Sequence, residues 1–174
     1  YQGNGVYAAT FTGVTAGSAT TIRANVNSSL VSSSATLSVT PGAPHSQYST
    51  ITGAGSTIAN GTATSTVTIT LKDINQNPVS GVVPTFSATD TDSTNTYGTC
   101  SATNAIGIST CTLSSTKAED KILSIQTPVI KTGSTLAFVA GSAFADNTTI
   151  TGSGPTTANG TSTSTITIAL RDSF

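Results

Sequence analysis

The sequence predicts an all-β chain made of tandem β-sandwich repeats, about seven strands to each. Two observations carry that reading. Residues 49–73, STITGAGSTIANGTATSTVTITLKD, return 99 residues later as TTITGSGPTTANGTSTSTITIALRD, with 17 of 25 aligned positions identical. A period near one domain length marks tandem folded units. The second observation is the strict alternation of Thr with Val, Ile and Leu through 64–71, which is the period of a half-buried strand.

The repeat divides the chain. The same offset pairs Leu37 with Leu136, Val39 with Phe138 and Gly42 with Gly141. Residues 1–42 read as the C-terminal part of one module, 43–141 as a complete module, and 142–174 as the N-terminal part of a third. Pro41–His45 and Ala140–Ala145 are then equivalent junctions, with successive modules expected end to end. The two end pieces together fall short of one module, and the part they lack lies between Asp73 and the strand that carries Cys111.

The strands of the complete module follow in order. Residues 48–53 form the first. In 64–71, Val67, Ile69 and Leu71 share one face and Thr66, Thr68 and Thr70 the other. The stretch Asp73-Ile-Asn-Gln-Asn-Pro78 is a turn, because Asn and Asp bond their own backbone and Pro fixes φ. Residues 82–88 place Pro84, Phe86 and Ala88 together, with Pro84 marking an edge or a bulge. A short strand near 97–101 follows. Residues 107–113 align Ser109, Cys111 and Leu113, and 122–127 and 134–140 complete seven strands. The expected core is Val67, Ile69, Leu71, Phe86, Leu113 and Leu136. Turn signals every 8–12 residues and no helical periodicity make this an immunoglobulin-like β-sandwich.

Cys100 and Cys111 admit two readings, a pair of buried free thiols or a disulfide between strands flanking the turn 102–107. The disulfide is the sharper one and requires an oxidising compartment. Aligned on its Gly-led strand, the first copy has Ala9 where Cys111 sits, so the bridge is not common to all copies.

Composition excludes several functions. Charged residues are 7% of the chain against about 25% in ordinary globular proteins, and net charge is -1. No basic patch for nucleic acid is present, and no apolar run reaches the length of a membrane span. A catalytic Ser or Thr needs a base, yet His45 is the lone histidine and reads as a solvated linker residue. No cofactor is expected. Asp73-x-Asn75-x-Asn77 imitates the start of a calcium loop but has Pro78 where the loop needs Gly and Pro84 where it needs Glu. Asp90, Asp92 and Asn95 form a better, still weak, calcium candidate, against which a solvated polar loop is favoured. Sequons at Asn27, Asn60, Asn147 and Asn159 arise easily in so Ser/Thr-rich a chain, and Asn60 and Asn159 precede Gly and read as turns. Lys72, beside Asp73, is a weak candidate for an isopeptide link.

Ala59-Asn60-Gly61, Asp73, Asn77-Pro78-Val79, Gly81 and Phe86-Ser87 together resemble the pattern of the group 1 bacterial immunoglobulin-like domains, the repeats of intimin- and invasin-type surface adhesins. Gln76 stands where that pattern usually has Gly. Glu119 stands where it has Gly after Ala118, a Gly the first copy keeps at Gly17. Both departures are expected to touch turn geometry alone. The resemblance implies a non-enzymatic, extracellular structural repeat, the stalk or spacer of an adhesin or fibre at the bacterial surface, outer-membrane-attached or secreted. It implies partners of two kinds: neighbouring modules of the same polypeptide or fibre, and a host or cell-surface receptor engaged by regions outside this sequence. Two alternatives stay open. The chain is the subunit of a self-assembling filament completed by strand exchange, or an accessory module of a secreted polysaccharide-acting enzyme. Aromatic content of 5% offers no sugar-binding platform for the latter.

Overall fold

A computed structural model of the protein describes residues 4–174. Four short strands come first: β1 (Thr20–Ile22), β2 (Asn25–Val26), β3 (Ser29–Leu30) and β4 (Ala35–Leu37). The central region holds β5 (Thr50–Gly53), β6 (Thr57–Ile58), β7 (Ser65–Thr70), β8 (Thr85–Ala88), β9 (Asn95–Tyr97), β10 (Ile108–Ser115), β11 (Asp120–Thr127) and β12 (Lys131–Val139). A single 3-10 turn at Ala145–Asn147 precedes β13 (Thr149–Gly152) and β14 (Ile166–Ala169). That turn is the longest helical element among the described residues.

The central strands form two four-stranded sheets, ordered β5-β7-β10-β9 and β6-β12-β11-β8. All pairs are antiparallel except β6 with β12. The inner faces meet in one core. Ile51, Val67, Ile69, Leu71, Cys111 and Leu113 come from the first sheet and its margins, and Leu123, Ile125, Leu136 and Phe138 come from the second. Alternation explains the assignment: β7 reads buried at Ser65, Val67 and Ile69 and more open at the Thr between them. Five of the six expected core residues are wholly buried; Phe86 is half-buried and packs on the core from the edge strand β8.

The sandwich has eight strands where seven were expected. The extra one, β6, is a two-residue parallel pairing of Thr57 and Ile58 with Phe138 and Val139, too short to leave a periodic trace. Two boundaries also differ. Pro84, which has no N–H for a ladder, lies just before β8 rather than within a strand. The strand expected near 97–101 is β9, Asn95–Tyr97, so Cys100 falls in irregular chain beyond it. That chain still follows β10, because Gly98 N–H donates to the Thr112 carbonyl at 2.8 Å and Ser101 N–H to the Thr110 carbonyl at 2.9 Å. The guidance brings Cys100 against Cys111, and the two form a disulfide.

Turn chemistry follows the sequence closely. Gly107 opens β10 at φ 77°, and a Cβ there would lie 2.5 Å from the Leu71 carbonyl, so glycine is required. Asn60 Oδ1 accepts from Thr62 N–H, the Thr62 hydroxyl and Ala63 N–H, and Asn159 repeats all three bonds with Thr161 and Ser162. The β13-β14 hairpin keeps the register of β5-β7: Ile150 opposes Ile168 as Ile51 opposes Ile69. Its apolar side chains are nevertheless exposed, as are Ile22 and Leu37 on the β1-β4 hairpin.

Two stability predictions follow from this geometry. Gln76 is held at φ 66°, a left-handed backbone that strains a residue with a Cβ. Gln76→Gly is expected to raise stability by about 1 kcal/mol, read as a higher urea midpoint at unchanged slope. The paired change Cys100→Ala with Cys111→Ala is expected to lower stability by about 3 kcal/mol, the closure entropy of so short a loop; an unchanged midpoint would contradict it.

Candidate functional site

The charged and amide side chains that this sandwich buries, Asp73, Asn77 and Lys121, lie at two places, the linker side and the outer corner near β9. The linker site is built on Asp73, which is 2% exposed. Its Oδ1 accepts from Asn75 N–H at 2.9 Å and Asn77 N–H at 2.8 Å, which closes the turn after β7. Its Oδ2 accepts from the Asn77 side-chain amide at 2.9 Å and from Gly42 N–H, in the linker, at 2.9 Å. Burial pushes the Asp73 carboxyl up, but the hydrogen bonds from Asn77, Gly42 and Asn75 outweigh it and hold the group below the ordinary carboxylate value.

Asn77 extends the contact across the linker. Its side-chain oxygen accepts from Ala16 N–H at 2.8 Å and its amide donates to the Val14 carbonyl at 2.9 Å. The backbone adds His45 N–H to the Lys72 carbonyl at 2.7 Å. In the stretch that imitates a calcium loop, the Asp73 and Asn77 side-chain oxygens are therefore taken by N–H groups of its own turn and of the preceding segment. His45 is half-buried rather than solvated, with its ring 5.9 Å from that of Tyr48.

The same arrangement recurs 99 residues on. Gly141 N–H donates to Asp172 Oδ2 at 2.8 Å, and Phe144 N–H to the Arg171 carbonyl at 2.7 Å. Bonds from Gly141 and Phe174 hold the Asp172 carboxyl below its ordinary value despite burial.

The second polar site surrounds Lys121, whose side chain is fully buried. Lys121 lies on the inward face of β11 with Leu123 and Ile125. Its Nζ donates to Glu119 Oε1, sits 3.7 Å from Asp90 Oδ1 and reaches the Thr94 hydroxyl at 3.3 Å, so it links β11 to the chain entering β9. The hydrogen bond from Lys121 and a second from the Thr91 hydroxyl draw the Glu119 carboxyl down to about 2. Glu119 thus does more than reshape a turn. For Asp90, burial pushes the carboxyl up, and bonds from Thr94 and Asn95 with the Lys121 charge bring it below its ordinary value.

The weak calcium candidates are placed in this corner. Asp90 is engaged by Thr94, Asn95 and Lys121, and Asp92 pairs with Lys117 at 2.7 Å. Asn95 donates to the Thr89 carbonyl and the Tyr97 hydroxyl. Among the described residues no group of three or more His, Cys, Asp or Glu is arranged to hold a metal ion. Lys72, the isopeptide candidate, is half-buried and bridges through its backbone to Pro78; the buried lysine is Lys121, which the sequence reading missed. The available signal was its spacing of two from Leu123 and four from Ile125, which sets it on their buried face.

Sandwich and linkers together define an immunoglobulin-like module joined to its flanking segments by hydrogen-bonded turns. A family model described as bacterial Ig-like domain (group 1) matches residues 49–139, and the chain belongs to that family. Among solved structures, invasin, a bacterial integrin-binding protein, is similar over 90% of this chain and 32% of its own, at 23% identity and a TM-score of 0.64. InvD of Yersinia pseudotuberculosis is similar over 91% of this chain and 51% of its own, at 17% identity and a TM-score of 0.65. The Escherichia coli adhesin FdeC is similar over 89% and 51%, at 21% identity and a TM-score of 0.59. The chain spans about a third to a half of the length of these proteins. No curated protein matches the sequence. No helix among the described residues is long and apolar enough to cross a membrane.

The Lys121 corner carries a pH prediction. The Glu119 carboxyl titrates lower folded than its ordinary 4.5. Its stabilising effect is therefore complete above that value and is lost as pH falls through about 2. Lys121→Met is expected to fold at lowered stability: it leaves Glu119 and Asp90 without their cation, but both carboxylates are about a quarter exposed and reach solvent. Its urea midpoint should fall less than that of the wild type between pH 4.5 and 2. Parallel acid profiles would contradict the assignment.

Proposed function

We propose that residues 1–42, 43–141 and 142–174 are the back part, a complete copy and the front part of successive modules. In this reading the chain is a non-enzymatic stalk or spacer of a bacterial cell-surface adhesin or fibre, working outside the cell. The observation that carries the proposal is the repeated linker. Gly42 to Asp73 and Gly141 to Asp172 are the same bond at nearly the same length, and His45 to Lys72 repeats as Phe144 to Arg171. A spacer needs each joint set the same way, so that reach grows with copy number.

Family membership supports the reading, as does the disulfide, which suits an oxidising exterior. Low charge gives the shaft a weak field, so steering of a partner falls to regions beyond this sequence. Invasin is described as integrin-binding and FdeC as an adhesin; a receptor for the protein carrying this chain is proposed on that likeness, with the modules here supplying distance. Strands of up to nine residues at about 3.3 Å per residue give a module about 35–40 Å long with its turns.

The joint is tested by Asn77→Ala. The variant removes the bonds to Val14 and Ala16 and also the side-chain bond to Asp73 Oδ2, while leaving the apolar core untouched. Small-angle scattering is expected to show a broader distribution of maximum dimension, with a stability loss of about 1–3 kcal/mol from the lost bond to Asp73. A distribution as narrow as that of the wild type would reject the stiff-spacer reading. Arrays of whole modules are expected to lengthen by one module length per copy in electron micrographs.

A further inference from the structure

The carboxylate that fastens the linker is held by N–H groups alone. Asp73 Oδ1 accepts from the backbone of Asn75 and Asn77, and Oδ2 accepts from Gly42 N–H and the Asn77 side-chain amide. Among the described residues no cation lies within ion-pair distance of it; the ion pairs are those of Lys117 and Lys121 at the other corner. All four partners of this buried group are donors. A proton added to either oxygen therefore points at N–H groups that cannot accept it, and at least one of the four bonds is lost.

The bonds at stake are those that join the segments. The Asn77 amide gives one hydrogen to Asp73 Oδ2 and the other to the Val14 carbonyl, while its oxygen takes Ala16 N–H. A proton on Oδ2 removes the acceptor of Gly42 and of the amide that holds residues 14–16. The titratable neighbours are few. Lys72 precedes Asp73 in the chain, and His45 and Tyr48, whose rings meet at 5.9 Å, lie on the linker side. Residues 14–17 and the turn 104–107 bring no charged or titratable side chain.

We propose that the linker is an acid-released joint, in which protonation of Asp73 frees Gly42 and residues 14–16 from the sandwich while the sandwich stays folded. The proposal rests on the spacer reading above and adds its regulation: a stiff rod at neutral pH, a jointed one in acid. The hydrogen bonds hold the Asp73 carboxyl below its ordinary 3.8. The fastening is therefore complete above that value and is lost as pH falls through the lower folded value. Because no cation takes part, salt has no ion pair to screen, so acid opens the joint and salt does not. Asp172 is held the same way, by Gly141 N–H and Phe174 N–H, so the second linker answers to the same proton chemistry.

Nuclear magnetic resonance of the full chain, from neutral pH down to about 2, tests this. The amide signals of Asn75, Asn77, Gly42 and Ala16 are expected to move with the Asp73 carboxyl at one shared midpoint below 3.8. Across it, the exchange protection of Gly42 and Ala16, corrected for the intrinsic effect of pH, is expected to fall about tenfold for each pH unit by which the midpoint lies under 3.8. Protection of Ile69 and Leu113 is expected to hold. Salt at about 1 M, which screens charges beyond about 3 Å, is expected to open nothing at neutral pH. Asp73→Asn is expected to show the open joint at neutral pH with no acid response, and His45→Gln to respond as the wild type. Should Asp73→Asn fail to fold, the wild-type titration still decides. Gly42 and Ala16 amides that stay protected below the Asp73 midpoint overturn the proposal. So does loss of protection at Ile69 and Leu113 at the same pH, which is unfolding of the sandwich, and so does a response that disappears in His45→Gln. A joint that stays closed in acid leaves the spacer reading standing, since that is judged at neutral pH by Asn77→Ala and by the length of module arrays.

Discussion

Everything on the linker side of this sandwich hangs on one buried carboxylate. Asp73 closes its own turn with one oxygen and holds the Asn77 amide and the Gly42 N–H with the other. Without it, buried N–H groups of the turn would lose their acceptor, and an unpaired buried donor is expensive. Because Asn77 is fixed by Asp73, its amide is already aimed when it meets Val14 and Ala16. A bond within one turn thereby sets the relation between two segments of the chain. Asp172 stands in the same place with Gly141, so the device belongs to the repeat.

The opposite corner is individual. Lys121, Glu119 and Asp90 join the two sheets where the first segment has Thr20 and Gly17, and the Cys100–Cys111 disulfide lies where that segment has Ala9. Both features fasten the β8–β9 side of the sandwich, where Phe86 and Tyr97 meet edge to face at 5.3 Å. Outer strands have a ladder on one side only, so this is where additional fastening has most effect. The linker bond recurs as Gly42 to Asp73 and Gly141 to Asp172, while the disulfide and the Lys121 cluster have no counterpart in the first segment.

Much of this was legible in the residues. Alternation located β7, β10 and the core residues Val67, Ile69, Leu71, Leu113 and Leu136, because a sheet with one dry face imposes a period of two; Ile51, Leu123, Ile125 and Phe138 were not named. Asn60-Gly61 and Gly107 declared their turns, since few residues accept those backbone angles. The strand β6 was not legible: two residues paired in parallel leave no pattern. Nor was the displaced β9, whose neighbour Cys100 runs alongside β10 without being a strand. Asn77 read correctly as a turn residue, but its second role depends on Val14 and Ala16, more than sixty positions earlier. Lys121 was hidden by its type; its spacing from Leu123 and Ile125 said inward, and its charge said outward.

The shortest strand of the sandwich gains a mechanical meaning under the proposed stalk role. A stalk fixed at one end and loaded at the other would be pulled through the two ends of this sandwich. In the complete one, β6 follows closely on the entering strand β5, and β12 is the strand that leaves. Thr57 and Ile58 run parallel to Phe138 and Val139, so tension slides the two strands past each other. Hydrogen bonds across a ladder lie perpendicular to that load and share it, whereas a hairpin pulled from its open end parts one bond at a time. A two-residue pairing that adds little to equilibrium stability is therefore placed in shear, where it resists extraction of the final strand.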